Sequence, residues 1–461
     1  GLSTDAQQAL PFPVDSLPTN ANPPDQCSLL ASKHASLEEF YLMQKLARKF
    51  GSENIDFRLD QTQLSTGSSL ESSINLSEIE SVDHALIIGS YTRLEQPMIN
   101  HRIRKAALDG ASVNTMNSKN FDFNFKTKCD ALTAPQKLLS ALQSVLKAVH
   151  LKTNQDTPND VSDVSPSEIH NIIADDLIAS ENGVIVLGEH LNSNPNSLAI
   201  INLIEKIASA TNLKIANITI SGNSHSAEKA NFIPSGNGLN AISMFNDNTK
   251  AFLLMDVDSE YDFIDSKSAQ GHFSKEDVFV VALSSFENQS TLSSADVILP
   301  MASFYESSGT HINFDGLVQS YSASVKSPGE SKPGWKIIKV MADLLDLQGF
   351  DYVDSTQVKE EALQSSKVKS SVDEANIQSI DDSQVTTHWQ YAPYASDSVT
   401  RRAKALQESN VGMINRAYVS KMTAHKIGLS DDDLYLGVPV SIEESVAEDC
   451  VFIHTNQARR A

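Results

Sequence analysis

Apolar and polar positions along the chain change period several times, and each change predicts an element. In "SLEEFYLMQKLARKFG", Leu37, Phe40, Tyr41, Ala47 and Phe50 recur at helical spacing. Ser36, with Glu39 three residues on, reads as a capping box, and Gly51 closes the helix. A Ser-rich polar stretch from about Gln61 to Ser81 follows. "ALIIGSYTRLEQPMINHRIRKAALDGASVNTM" then reads as strand (85–88), loop, helix (97–108), Gly110 stop and strand (111–116).

The same alternation continues. "PQKLLSALQSVLKAVH" predicts a helix, and residues 151–164 a surface loop. "SPSEIHNIIADDLIASENG" predicts another helix, with Ser165 as N-cap, Pro166 at its first position and Glu168 closing a capping box. Short apolar runs "GVIVLG", "KIANITI", "AFLLM", "VFVVAL" and "DVILP" predict strands, with a helix opening at Asn194-Pro195. Continuous apolar strands separated by helices indicate a mostly parallel sheet covered on both faces, a doubly wound α/β protein. "PGWKIIKVMADLLDL" is an amphipathic helix. Residues 353–410 are polar and read as a connector. After a short helix ending at Gly428, "LYLGVPVSI" and "CVFIH" alternate as strands of a small β-rich module.

The expected organisation is therefore discontinuous. Residues 1–82 open an α/β domain, 83–300 form an inserted doubly wound domain, and 301–352 return to the first. Residues 353–410 connect to a β-rich module over 411–461. A length of 461 residues agrees with ~2–4 domains.

Charge and cysteine usage narrow the function. The net charge is −22, from 36 basic and 58 acidic residues, which argues against nucleic acid as a partner. Cys27, Cys129 and Cys450 are too few and too scattered for a disulfide framework or a cysteine metal site. No apolar run approaches the ~20 residues of a membrane span. The opening Gly-Leu-Ser, without Met, suggests a fragment of a longer chain.

Candidate chemistry is sparse. "GNGLNA" places Gly236, Gly238 and Ala241 on a dinucleotide-fingerprint spacing, with Asp256 and Asp258 about twenty residues on. No strand runs into Gly236, and "LNAISMF" is short for a crossover helix, so a loop is the better reading. "DVDSEYD" carries carboxylates at 256, 258, 260 and 262, but Tyr261 occupies the position where a calcium loop needs Gly. The twelve histidines are scattered, without a zinc motif. Arg102, Arg104 and Lys105 read as a solvated helix face. The densest stretch is "SADVILPMASFYESSGTHINFDGLVQ", 294–319. A strand ends at Pro300, where α/β ligands bind. Glu306 is placed either as a general acid/base or as a cap for its own loop, and Asp315-Gly316 predicts a tight primed hairpin turn.

"ADVILP", followed by Glu306, Gly309-Thr310, Asn313, Asp315-Gly316 and Gln319, resembles the molybdopterin oxidoreductase superfamily. "ASKHASLEEFYLMQKLARKFGSENIDFRLDQ", "ALIIGSYTRLEQPMINHRIRKAALDG", "FVVALSSFENQST", "PGESKPGWKIIKVMADLLDLQGFDY" and "DSVTRRAKALQ" point within it to one branch. That branch comprises the largest iron–sulfur subunits of respiratory complex I (NADH-quinone oxidoreductase). The last module is similar to the start of the superfamily's C-terminal β domain, but departs at Asp432, where Gly is usual. Leu317 stands where Arg often follows the turn Gly.

The resemblance implies a molybdopterin-oxidoreductase-like fold and a C-terminal scaffold portion supporting electron transfer from NADH to quinone. It implies no catalytic, cofactor-binding or metal-binding residue in this chain. Iron–sulfur clusters are expected in an N-terminal part, since grouped thiolates must hold them. Its implied partners are other peripheral-arm subunits, on the cytoplasmic side of the bacterial inner membrane. A fragment of a molybdenum enzyme such as formate dehydrogenase, or a free-standing dinucleotide-binding enzyme using Gly236–Asp258, are the alternatives.

Overall fold

The computed structural model describes residues 27–61, 70–218, 222–245, 249–365, 381, 383–391 and 393–455. Residues 1–26, 62–69 of the Ser-rich stretch and most of 366–382 of the connector lie outside the described residues.

The chain begins one sheet with β1 (Cys27–Ala31) and β2 (Ile55–Asp56). It leaves to build a second sheet from β3 (His84–Ile88), β4 (Ser112–Asn117), β5 (Cys129–Leu132), β6 (Gly183–Leu187) and β7 (Lys214–Asn217). It then returns with β8 (Ala251–Met255), β9 (Phe279–Ser284) and β10 (Val297–Pro300). The first sheet has the order β10-β9-β8-β1-β2 and the second β5-β4-β3-β6-β7; both are parallel throughout. A hairpin follows, β11 (Gly309–Ile312) with β12 (Val318–Tyr321).

This topology corrects the expected insertion over 83–300. β8 pairs with β1 from Cys27↔Ala251 to Ala31↔Met255, so the return to the first domain precedes Ala251. The reason is physical: "AFLLM" and "ALII" are equally apolar, and a run buried on both faces carries no mark of the sheet that receives it.

Helices cover both faces of each sheet. Helix Leu37–Lys49 starts on the expected Ser36–Glu39 capping box, and ten of its residues are buried. Helix Gly334–Leu344 packs beside it in the same core. On the other face of that sheet, Phe245, Phe252, Phe263 and Phe273 form an aromatic cluster. In the second sheet, helices Leu138–Thr153, Glu168–Ala179 and Ser197–Thr211 bury one face, and Pro97–Leu108 the other. One cap differs from expectation. Ser167, not Ser165, is the N-cap of Glu168–Ala179, and His170 closes the box. Ser167 offers an equivalent hydroxyl two residues further on, in extended backbone with φ −82° and ψ 176°, as an N-cap requires.

The connector is more structured than its polarity suggested. Helix Ser355–Gln364 docks on Leu37–Lys49, where Glu361 accepts from Tyr41 and Lys45 at 2.7 Å each. β13 (Thr386–Tyr391) then pairs in parallel with the last strand of the C-terminal sheet. That sheet contains β14 (Asn415–Val419), β15 (Leu434–Tyr435), β16 (Val438–Ile442) and β17 (Cys450–Thr455), ordered β13-β17-β14-β16-β15. The β-rich module thus begins within the segment assigned to the connector. Asp432, where the family resemblance expected Gly, adopts φ 66°, a left-handed conformation that Asp tolerates. The module docks on the second sheet's domain through Phe121, Ala134, Val446 and Phe452, and through the ion pair Lys137–Asp449 at 2.8 Å. Among the described residues no helix is long and apolar enough to cross a membrane.

Candidate functional site

The stretch Ser294–Gln319 was the densest in polar signal, and its groups brace the loop and hairpin, internally and against neighbouring elements. Glu306 closes a capping box on Ser303, whose N–H donates to its Oε2 at 2.9 Å. The cap reading therefore accounts for Glu306. Thr310 is fully buried; its N–H and its hydroxyl donate to the Glu38 carboxylate at 2.9 and 2.7 Å. Glu38 and Glu39 are themselves buried, and burial raises both carboxyls above the usual range. The Asn313 side chain accepts from Leu317 N–H at 2.8 Å. The expected two-residue primed turn is instead a five-residue loop between Ile312 and Val318, in which Gly316 alone takes a positive φ, 83°. The Asp315 carboxylate accepts from Leu76 N–H at 3.0 Å and from Leu317 N–H at 3.3 Å, and its own φ is not positive.

The glycine loop 236–241 is likewise engaged. Leu239 N–H donates to Asn54 at 2.8 Å and Ala241 N–H to Asp56 at 3.1 Å. A Cβ at Gly238 would lie 2.3 Å from the Glu53 carbonyl oxygen. Its glycine therefore serves close packing against the chain, and two of its amides are spent on protein acceptors rather than directed at a phosphate. In "DVDSEYD", Asp262 pairs with Arg401 at 2.7 Å, and Asp258 lies 3.8 Å from the same guanidinium. Arg401 also stacks 4.6 Å over the Tyr261 ring. Those acids hold a cation of the chain itself.

The groups that converge come from stretches without a motif. A cleft of about 230 Å³ opens at the C-terminal ends of β1, β3 and β6, where ligands of parallel sheets bind. The turn after β1 supplies Lys33 and His34; the turn after β6 supplies Glu189 and His190; the short helix after β3 supplies Glu95. β13 closes the cleft with Trp389 and Gln390, and Arg401 reaches in from the following loops. The strand ends can approach because Gly188 packs on Gly89, where an added Cβ would sit 2.1 Å from the Gly89 carbonyl oxygen.

Electrostatics within the cleft are tightly paired. Lys33 bridges Asp60 at 2.7 Å and Glu189 at 3.2 Å. Burial alone would lower its pKa, but the two carboxylates outweigh it and hold the ammonium above its ordinary value. Glu95 lies 2.6 Å from His190 Nε2 and accepts from Ser90 Oγ at 2.7 Å and from Gln390 Nε2. Burial opposes its charge, yet these partners keep the carboxyl below the usual range. His190 meets the His388 ring edge-on at 4.6 Å, and Phe452 packs against both. His454, on the same sheet face, is pushed down to about 4, chiefly by burial.

An anionic dinucleotide does not suit this donor set, because both cations in the cleft are already shared between carboxylates. Lys33, Glu95, His190, Gln390 and Arg401 were not singled out from sequence. Lys33 and His190 carried one signal, their position directly after an apolar run in "LLASKH" and "VIVLGEH"; Glu95, Gln390 and Arg401 carried none.

The molybdopterin oxidoreductase family model matches residues 7–344. The NADH-ubiquinone oxidoreductase 75 kDa subunit of Reclinomonas americana is 24% identical over 283 residues, 59% of this chain and 35% of that protein. An NADH-quinone oxidoreductase subunit of Rickettsia bellii is 24% identical over 340 residues, 70% of this chain and 42% of that protein. This chain thus spans less than half the length of these curated relatives. Acetylene hydratase from Pelobacter acetylenicus superposes with a TM-score of 0.68, covering 94% of this chain and 79% of that one at 11% identity, which is a likeness of fold.

Proposed function

The chain belongs to the molybdopterin oxidoreductase family, and from that premise we propose that it is the C-terminal scaffold portion of the largest iron–sulfur subunit of an NADH-quinone oxidoreductase. In this reading it supports electron transfer from NADH to quinone and holds no redox centre of its own. It packs against the cluster-bearing part of its subunit and other peripheral-arm subunits, on the cytoplasmic side of a bacterial inner membrane. The observation that carries the reading is similarity to NADH-ubiquinone and NADH-quinone oxidoreductase subunits across 59–70% of the chain. Two features of the residues support it. Two amides of the glycine loop, those of Leu239 and Ala241, are committed to Asn54 and Asp56. Cys27 and Cys450 are buried on separate sheets, and burial pushes the Cys27 thiol up to about 12, far from the thiolate that a cluster would need.

Two measurements test it. Elemental and pterin analysis of the purified chain is expected to find molybdenum, tungsten and iron well below one per chain; stoichiometric molybdenum or tungsten would overturn the scaffold role. Co-expression with the peripheral-arm subunits of a bacterial NADH-quinone oxidoreductase is expected to give a complex that survives gel filtration. Separate elution of this chain would remove the assignment to that assembly.

A further inference from the structure

We propose that the cleft at the ends of β1, β3 and β6 is a binding site for a small organic cation, an alkyl ammonium or guanidinium. Its walls carry four carboxylates, Asp60, Glu95, Glu189 and Asp262, against two permanent cations, Lys33 and Arg401. Each cation is shared: Lys33 between Asp60 and Glu189, Arg401 between Asp262 and Asp258. The cleft therefore keeps an excess of negative charge, which favours a cationic guest over a phosphate-bearing one.

A second observation is independent of charge. Gln390 lines the cleft and is 4% exposed. Its amide nitrogen donates to Glu95, which fixes the orientation of the amide. Its Oε1 is buried and has no hydrogen-bond partner among the described residues. A buried acceptor without a donor is costly and is normally satisfied. An N–H of a bound cation would satisfy it, with Glu189 or Asp262 as charge partner. The walls also suit the hydrocarbon and π faces of such a guest. Tyr261 already carries one guanidinium on its ring, that of Arg401, and Trp389 offers a second aromatic surface. A space of about 230 Å³ admits a short chain.

A free cation and an Arg side chain of a partner share this chemistry, so the test uses both. Agmatine, a capped Gly-Arg-Gly peptide and ADP are titrated calorimetrically into the 461-residue chain at low salt. Saturable one-to-one binding of agmatine or the peptide, weakening as salt rises, is expected; the tighter of the two identifies the source. Glu189→Gln and Gln390→Leu should each weaken it about tenfold, the loss of one charge-assisted hydrogen bond. Because those variants alter a packed wall, a second readout is needed. The chain has two tryptophans, and Trp335 is buried in the first core. A ligand-dependent change in fluorescence should therefore come from Trp389 and saturate over the same ligand concentrations as the heat of binding. Absence of saturable binding by both cations, tighter binding of ADP, or binding untouched by both wall variants overturns the proposal.

Discussion

The stretch Ser294–Gln319 and the cleft beside β1, β3 and β6 differ in how function is written along a chain. In the first, polar residues are dense in sequence, and in space they turn inward: Glu306 to Ser303, Thr310 to Glu38, Asn313 to Leu317. In the second, Lys33, Glu95, Glu189, Gln390 and Arg401 are separated by tens to hundreds of residues, and the fold brings them to one cavity. A dense local motif records how hard a loop must work to hold its own backbone. A site is assembled by topology, where parallel strands of different crossovers end side by side.

The largest effect that tests this contrast falls on the cleft wall. Glu95→Ala removes the shared partner of His190, Ser90 and Gln390 and leaves buried polar groups unpaired. It should cost ~3–5 kcal/mol of stability in urea unfolding. A loss below ~1 kcal/mol would show the wall to be open to water. Next comes pH. His454 by the cleft and His311 by the hairpin each titrate near 4, both chiefly because burial disfavours the charged ring. A depressed histidine contributes stability that is full above its unfolded value near 6.5 and is lost as pH falls towards 4. A pKa lowered by one is worth ~1.4 kcal/mol, so each histidine should remove up to ~3 kcal/mol by pH 4. The raised Glu38 and Glu39 carboxyls act oppositely, since their protonated forms are favoured in the folded state. The informative quantity is therefore the difference between wild type and His454→Gln or His311→Gln across pH 4–7. Parallel curves would mean that the rings are hydrated.

Much of the fold was legible from period and punctuation. Helix Leu37–Lys49 with its Ser36–Glu39 box, helix Pro97–Leu108 and the strands "GVIVL" and "AFLLM" lie where the apolar pattern put them. Sheet membership was not legible. β8, β9 and β10 join β1 through a crossover that spans the whole second domain, and nothing in "AFLLM" encodes that partner. β13 was hidden for another reason: "TTHWQY" is polar because His388 and Gln390 face the buried polar contacts with Glu95 and Ser118 instead of an apolar core. The cleft escaped notice with it, since β13 supplies one of its walls.

The smaller effects lie in the hairpin and separate its two carboxylate contacts. Thr310→Val keeps the shape of the side chain but removes a hydroxyl donor from Glu38, which is 2% exposed. Glu38 retains the Thr310 N–H but loses half of that pairing, so the variant should lose ~1–3 kcal/mol. It should also raise the Glu38 carboxyl further, because burial is already its leading influence. Glu306→Gln is the minimum of the series. A glutamine carbonyl oxygen can accept from Ser303 N–H as the carboxylate does at 2.9 Å, and the position is only half-buried. Its stability should change by no more than ~0.5 kcal/mol, measured by the same urea titration. Were Glu306 a proton-transfer group instead of a cap, the same isosteric change would leave the fold intact and abolish a reaction. A stability loss of a kilocalorie or more would instead show that its charge, and not only its acceptor oxygen, holds the 303–306 turn.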